Sequence, residues 1–103
     1  MASVSEHATK TVLVADDTAF VRDKFRHAIE QAGHRALVAG SGPEVLAALH
    51  RDEPRIDLIL LDLHLSGAKG VELLRRTRAL AQDRPLLVFS GTIASAREVA
   101  EMA

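Results

Sequence analysis

Three apolar runs in this sequence each end in oxygen chemistry. TVLVA at residues 11–15 runs into Asp16 and Asp17, LILL at 58–61 into Asp62, and LLVF at 86–89 into Ser90. An ionised carboxylate taken out of water without partners is costly. An interior run that delivers one must therefore open onto solvent or onto something that wants negative charge. If the first and third runs lie side by side, Asp16, Asp17 and Asp62 converge. Like charges that close drive at least one proton equilibrium upward unless a cation sits among them. Mg²⁺ meets that need, being a hard ion that takes oxygen ligands, keeps several waters and is held by one or two carboxylates plus phosphate oxygens. With its charge screened, Asp62 can act as a nucleophile and form an acyl phosphate. The Ser90 hydroxyl and loop N–H groups can hydrogen-bond a phosphate oxygen.

The elements that must position these groups are legible as periodic segments. Residues 11–15 read as a buried strand, and Thr18 as the cap of a helix over 19–32 whose apolar positions include Phe20, Val21, Phe25, Ala28, Ile29 and Ala32. Gly33 is its predicted stop. Residues 35–39 form a second strand, and a turn at 40–43 opens a short helix that Asp52-Glu53-Pro54-Arg55 breaks. The third strand is predicted over Ile56–Leu61; its nearly continuous apolar run suits a central strand covered on both faces. A helix follows that carries Val71, Leu73, Leu74, Thr77 and Leu80 on one face and Arg75, Arg76 and Arg78 on the other. The fourth strand is Leu86–Phe89, and another helix begins near Ala94. Strands alternating with helices at this spacing imply a mostly parallel sheet with helices on both faces. Ligands of such sheets gather at the carboxyl ends of the strands, which is where the acids fall.

Composition excludes several classes. The chain has 103 residues, one small domain, with 48% hydrophobic and only 3% aromatic residues, so its core is aliphatic. With 13 basic and 14 acidic residues the formal net charge is -1, which offers no electrostatic grip on nucleic acid. There is no cysteine for disulfides or thiolate metal sites. The polar start, residues 1–10, reads as a flexible leader without the apolar core of a signal peptide, and no apolar run is long enough to span a bilayer. The expectation is a soluble cytoplasmic domain over residues 11–103 with no membrane partner.

The ordered set of VLVADD, Arg22, LILLDLHLSGAKGVELLRRTR and PLLVFSG resembles the receiver domain of bacterial two-component response regulators, from about residue 11 to the end. The resemblance implies a flavodoxin-like, doubly wound α/β fold with strand order 2-1-3-4-5. It implies that Asp62 accepts a phosphoryl group from a histidine kinase or phosphotransfer protein. Asp17 would bind Mg²⁺ directly and Asp16 through water or alternately, and the backbone carbonyl of His64 would be a further ligand. Ser90 would be the switch hydroxyl. The domain would be a signalling switch, not an enzyme turning over a small molecule. A haloacid-dehalogenase-like phosphatase also uses a strand-end aspartate, but Asp62-Leu63-His64 lacks that class's second acid.

The pattern departs from the family at Ser66, where proline is usual, and at Lys69, where aspartate is common. A loop without that proline is less fixed in φ. The family also has a fifth strand, ending in a lysine that pairs with the phosphoryl group, and a fifth helix. The sequence ends at Ala103 with no lysine after Lys69, so the expected sheet order is 2-1-3-4 without those elements. The fourth strand would then be an edge. The expectation is a homodimer, formed through that edge or by exchange of the last helix. A degenerate receiver, acting as a dimerisation or docking module without phosphorylation, is the alternative reading.

Overall fold

The structure, a computed structural model, describes residues 8–65 and 70–89. Four strands and three helices alternate along them: β1 (Thr11–Ala15), α1 (Ala19–Gln31), β2 (Arg35–Ala39), α2 (Gly42–Arg51), β3 (Leu58–Asp62), α3 (Gly70–Ala81) and β4 (Leu86–Phe89). The strands form one parallel sheet in the order β2-β1-β3-β4. The flavodoxin-like order 2-1-3-4 read from the sequence is therefore the order observed. Residues 1–7, Ser66, Lys69, Ser90 and the predicted last helix lie outside the described residues.

The two sheet faces are covered differently. Leu13, Ala15, Ile59 and Leu61 meet Val45 and Leu49 of α2 and Leu73 of α3 in one buried aliphatic cluster. Register partners in a parallel sheet share a face, so the pairing of Leu60 with Leu87 and of Asp62 with Phe89 puts these four on the other side. There α1 lies over the sheet, its Phe25 ring 5.3 Å from that of Phe89. Phe20 and Val71, both assigned to apolar helix faces, are instead exposed. Each sits in the first turn of its helix, at the rim of the sheet where the layers end.

Local chemistry explains the element ends. Gly33 has φ +88°, the left-handed stop expected of it. Ser41 caps α2 by accepting from the Glu44 N–H, while the Glu44 carboxylate accepts from the Gly40 N–H and Pro43 occupies the first turn. Thr18 holds the N-cap position of α1, but its side chain makes no cap bond; its hydroxyl donates to Asp17 at 3.4 Å.

The third strand starts two residues later than predicted. The Ile56 N–H donates to the Asp52 carboxylate, not to a neighbouring strand. The Asp57 carboxylate accepts from the Thr11 N–H at 2.9 Å and the Asp57 N–H donates back to the Thr11 carbonyl. Asp57 thus substitutes for a strand neighbour at the start of the ladder, and regular pairing begins at Leu58.

Arg84, only 9% exposed, ties the end opposite the acids together. Its guanidinium donates to the Asp52 carboxylate at 2.7 Å and to the carbonyls of Ile56, Leu80 and Ala81. The Arg84 carbonyl in turn accepts from Arg78. One side chain thereby joins the ends of α2 and α3 to the approach to β3. No helix among the described residues is long and apolar enough to cross a membrane.

Candidate functional site

The carboxyl ends of β1 and β3 are neighbours, because Ala15 pairs with Leu61. Each strand releases its acid there. The Asp16 N–H still donates to Ala39, extending the β1 ladder by one residue, and the Asp16 carboxylate then accepts from the Thr18 N–H at 2.7 Å. At the end of β3 the Asp62 carboxylate accepts from the His64 N–H at 3.0 Å. Both are aspartates binding a backbone amide two residues on, a turn that aspartate forms readily. Each turn aims its carboxylate while using only part of its accepting capacity.

Asp16, Asp17 and Asp62 thereby come together, offering one carboxylate oxygen each, all within 4.8 Å of one another. Asp16 and Asp62 are 4% and 8% exposed, and Asp17 is open to solvent. Burial pushes the Asp62 carboxyl above its ordinary value. The His64 N–H opposes that rise, whereas the charge of Asp16, a side-chain hydrogen bond with it and the charge of Asp17 reinforce it. The cluster is thus strained in the sense predicted from sequence.

A hard divalent cation fits these residues. Oxygens around Mg²⁺, each at about 2.1 Å, stand about 3 to 4 Å apart, a small contraction from the spacing present. The half-open rim leaves water room to complete the shell. His64 lies at the same rim, exposed, with its N–H on Asp62. Ser90 follows β4 and lies outside the described residues.

Two supports were not apparent from sequence spacing. Arg22, one turn into α1, donates from Nη1 to the main-chain carbonyl of Asp16 at 2.8 Å. Gly70 lets the start of α3 close on β3's exit, because a methyl group there would come within 2.6 Å of the Leu63 carbonyl oxygen. The Asp-x-Thr turn at residues 16–18 was the readable local signal; the reach of Arg22 was not readable.

A doubly wound parallel sheet with a triple-acid rim between its two central strands is the architecture of a CheY-like domain. The chain belongs to the response regulator receiver domain family, whose family model matches residues 12–103. It is 37% identical over 83 residues to the phosphate regulon transcriptional regulatory protein PhoB of Pseudomonas aeruginosa, covering 79% of this chain and 35% of PhoB. It is 36% identical over 87 residues to the sensor histidine kinase AruS of the same organism, covering 80% of this chain and 8% of AruS. The chain therefore spans a minor part of these curated relatives. Among solved structures, a response regulator receiver protein from Pseudomonas putida superposes with a TM-score of 0.74 at 29% identity, covering 93% of this chain and 81% of that one. The response regulator TrrA of Thermotoga maritima, solved with Mg²⁺-BeF, gives 0.77 at 22% identity, covering 90% and 79%.

Proposed function

We propose that this domain is a phosphoacceptor in two-component signalling, taking a phosphoryl group onto Asp62 from a histidine kinase or phosphotransfer protein. Mg²⁺ would be held by Asp16, Asp17, Asp62 and the main-chain carbonyl of His64. The observation that carries this reading is the meeting of three carboxylate oxygens within 4.8 Å at the rim of a receiver fold. The Mg²⁺-BeF complex of TrrA supports the choice of cation.

When bound, Mg²⁺ would neutralise the acids and attract phosphoryl oxygens. The remaining steps belong to the chain. The His64 N–H fixes one oxygen of Asp62 and so orients the carboxylate. An Asp62 oxygen attacks phosphorus; the O–P bond forms as the P–N bond to the donor imidazole breaks, and the electron pair of that bond remains on the imidazole nitrogen. Ser90, on its position in the sequence, donates a hydrogen bond to the transferred group. The output is a changed set of partner contacts in the cytoplasm, not a released product. Phe20, 68% exposed and in the first turn after Asp17, offers the donor protein an apolar foothold beside the site.

The reading includes pairing of two copies along β4. That strand has no neighbour on its outer side among the described residues, and Leu87 stands 57% exposed. The near-balanced charge of -1 gives no basis for a nucleic-acid partner.

Incubation with Mg²⁺ and acetyl phosphate, followed by intact mass measurement, tests phosphoacceptance. The expected result is one added phosphate on the parent and none on Asp62→Asn. No adduct on either protein would remove the proposal in favour of a phosphorylation-independent docking module.

A further inference from the structure

We propose that Arg22 is a positioning residue for the acidic site, holding the backbone of Asp16 so that its carboxylate meets Asp62. This rests on the reading that Asp16 helps hold Mg²⁺. Asp16 is the last residue of β1 to join the ladder, through its N–H on Ala39. Beyond it the chain must turn into α1 while keeping a buried carboxylate aimed at the rim. The Asp16 carbonyl there receives Arg22 Nη1 at 2.8 Å. The Asp16 carboxylate is committed on the other side to the Thr18 N–H, and the Thr18 carbonyl accepts from the Arg22 N–H at 3.0 Å. Residues 16, 18 and 22 therefore close a ring: side chain to amide, carbonyl to helix, helix side chain back to carbonyl.

Gly40 makes room for this ring. A methyl group at Gly40 would lie 3.1 Å from Arg22 Nη1. That contact is too tight to keep, and the guanidinium would have to shift by a few tenths of an ångström. The glycine of the β2–α2 turn thus matters to a site it does not touch. The role is positional, not electrostatic. A bare positive charge beside the acids would compete with Mg²⁺, so a purely electrostatic Arg22 would weaken cation binding. A positioning Arg22 strengthens it, and the two accounts predict opposite signs.

Calorimetric titration with Mg²⁺ separates them, using the full chain in its parent form and as Arg22→Met, Arg22→Lys and Gly40→Ala. Arg22→Met is expected to weaken Mg²⁺ binding about tenfold, as loss of one charge-assisted hydrogen bond implies. Arg22→Lys should recover part of that loss, and Gly40→Ala should weaken binding about two- to threefold although every charge is kept. In the metal-free protein, amide exchange at Thr18 should quicken in Arg22→Met while exchange in the β3 core stays at the parent rate. Mg²⁺ binding by Arg22→Met as tight as the parent's, or tighter, would overturn the inference. Unchanged Thr18 exchange would overturn it independently of any metal. Absence of Mg²⁺ binding in the parent would sink the phosphoacceptor reading instead, and Thr18 exchange would still decide whether Arg22 holds the turn.

Discussion

Protonating Asp62 should strengthen the cation-free fold, because burial and the charges of Asp16 and Asp17 all press against its ionised form. A carboxyl whose folded pKa is raised lowers stability above that value, and the loss is relieved as pH falls through it. Asp52 behaves oppositely. The Ile56 N–H foremost, then the Arg84 guanidinium, hold it below its ordinary value against the opposing cost of burial. Its contribution is complete above the ordinary carboxylate value and is lost as pH falls through the lowered one. Thermal melting in EDTA across the acid range should therefore pass through a maximum between the two titrations. Asp62→Asn should flatten the limb on the neutral side and leave the acid limb in place. Saturating Mg²⁺ should flatten the same limb in the parent, adding about 2.7 kcal/mol at one hundred times Kd, and at the same Mg²⁺ concentration should add less to Asp62→Asn, which loses one carboxylate of the cluster. A neutral-side limb that survives the asparagine would show that another group causes it.

Arg84→Met is the variant that tests how the elements are joined. It would take the counter-charge from the Asp52 carboxylate, which keeps only the Ile56 N–H, and a side-chain donor from the carbonyls of Ile56, Leu80 and Ala81, of which Ala81 keeps the Arg84 main-chain N–H. The expected cost is about 2 to 4 kcal/mol in urea unfolding, less than for a fully enclosed ion pair because Asp52 keeps contact with water. Arg84→Lys should recover little, since an ammonium cannot fork to several acceptors. This knot was not legible in the sequence. The bounds of β1, β2 and β4 were, because each is an apolar run closed by polar or glycine residues. The meeting of the three acids followed from strand order alone. What escaped were side-chain contacts between elements among the described residues: Arg22 to Asp16, Asp57 to Thr11, Arg84 to Asp52. Asp57 misplaced the start of β3 for that reason; its type is visible in the sequence, but its partner lies 46 residues away. Thr77 shows the converse, a polar residue on an apolar helix face whose buried hydroxyl has no partner among the described residues.

At the scale of the whole molecule the fold has two poles. Acids gather where the strands end, and Arg84 gathers the backbone where they begin. The β4 edge runs between these poles along one flank, with Leu87 exposed on the sheet face it shares with Leu60. If two copies pair there, Leu87→Glu should shift the sedimentation profile from dimer toward monomer, leaving phosphate uptake from acetyl phosphate within about twofold of the parent. An unchanged profile, or a parent that sediments as a monomer at micromolar concentration, would remove the β4 contact from the proposal. The layered core should be indifferent to the substitution, since that side chain contributes nothing to the aliphatic cluster on the opposite face.

Arg84 and Asp52 stand 32 positions apart, and their charges are paired across that span. The span between them contains Asp62, the proposed phosphoacceptor, and all of α3. A chimera with a crossover inside that span would inherit half of the knot from each parent and strand a charge wherever the halves differ. Exchange of segments among relatives should therefore succeed when the break falls before residue 52 or after residue 84, so that Asp62 and its scaffold travel as a single heritable block.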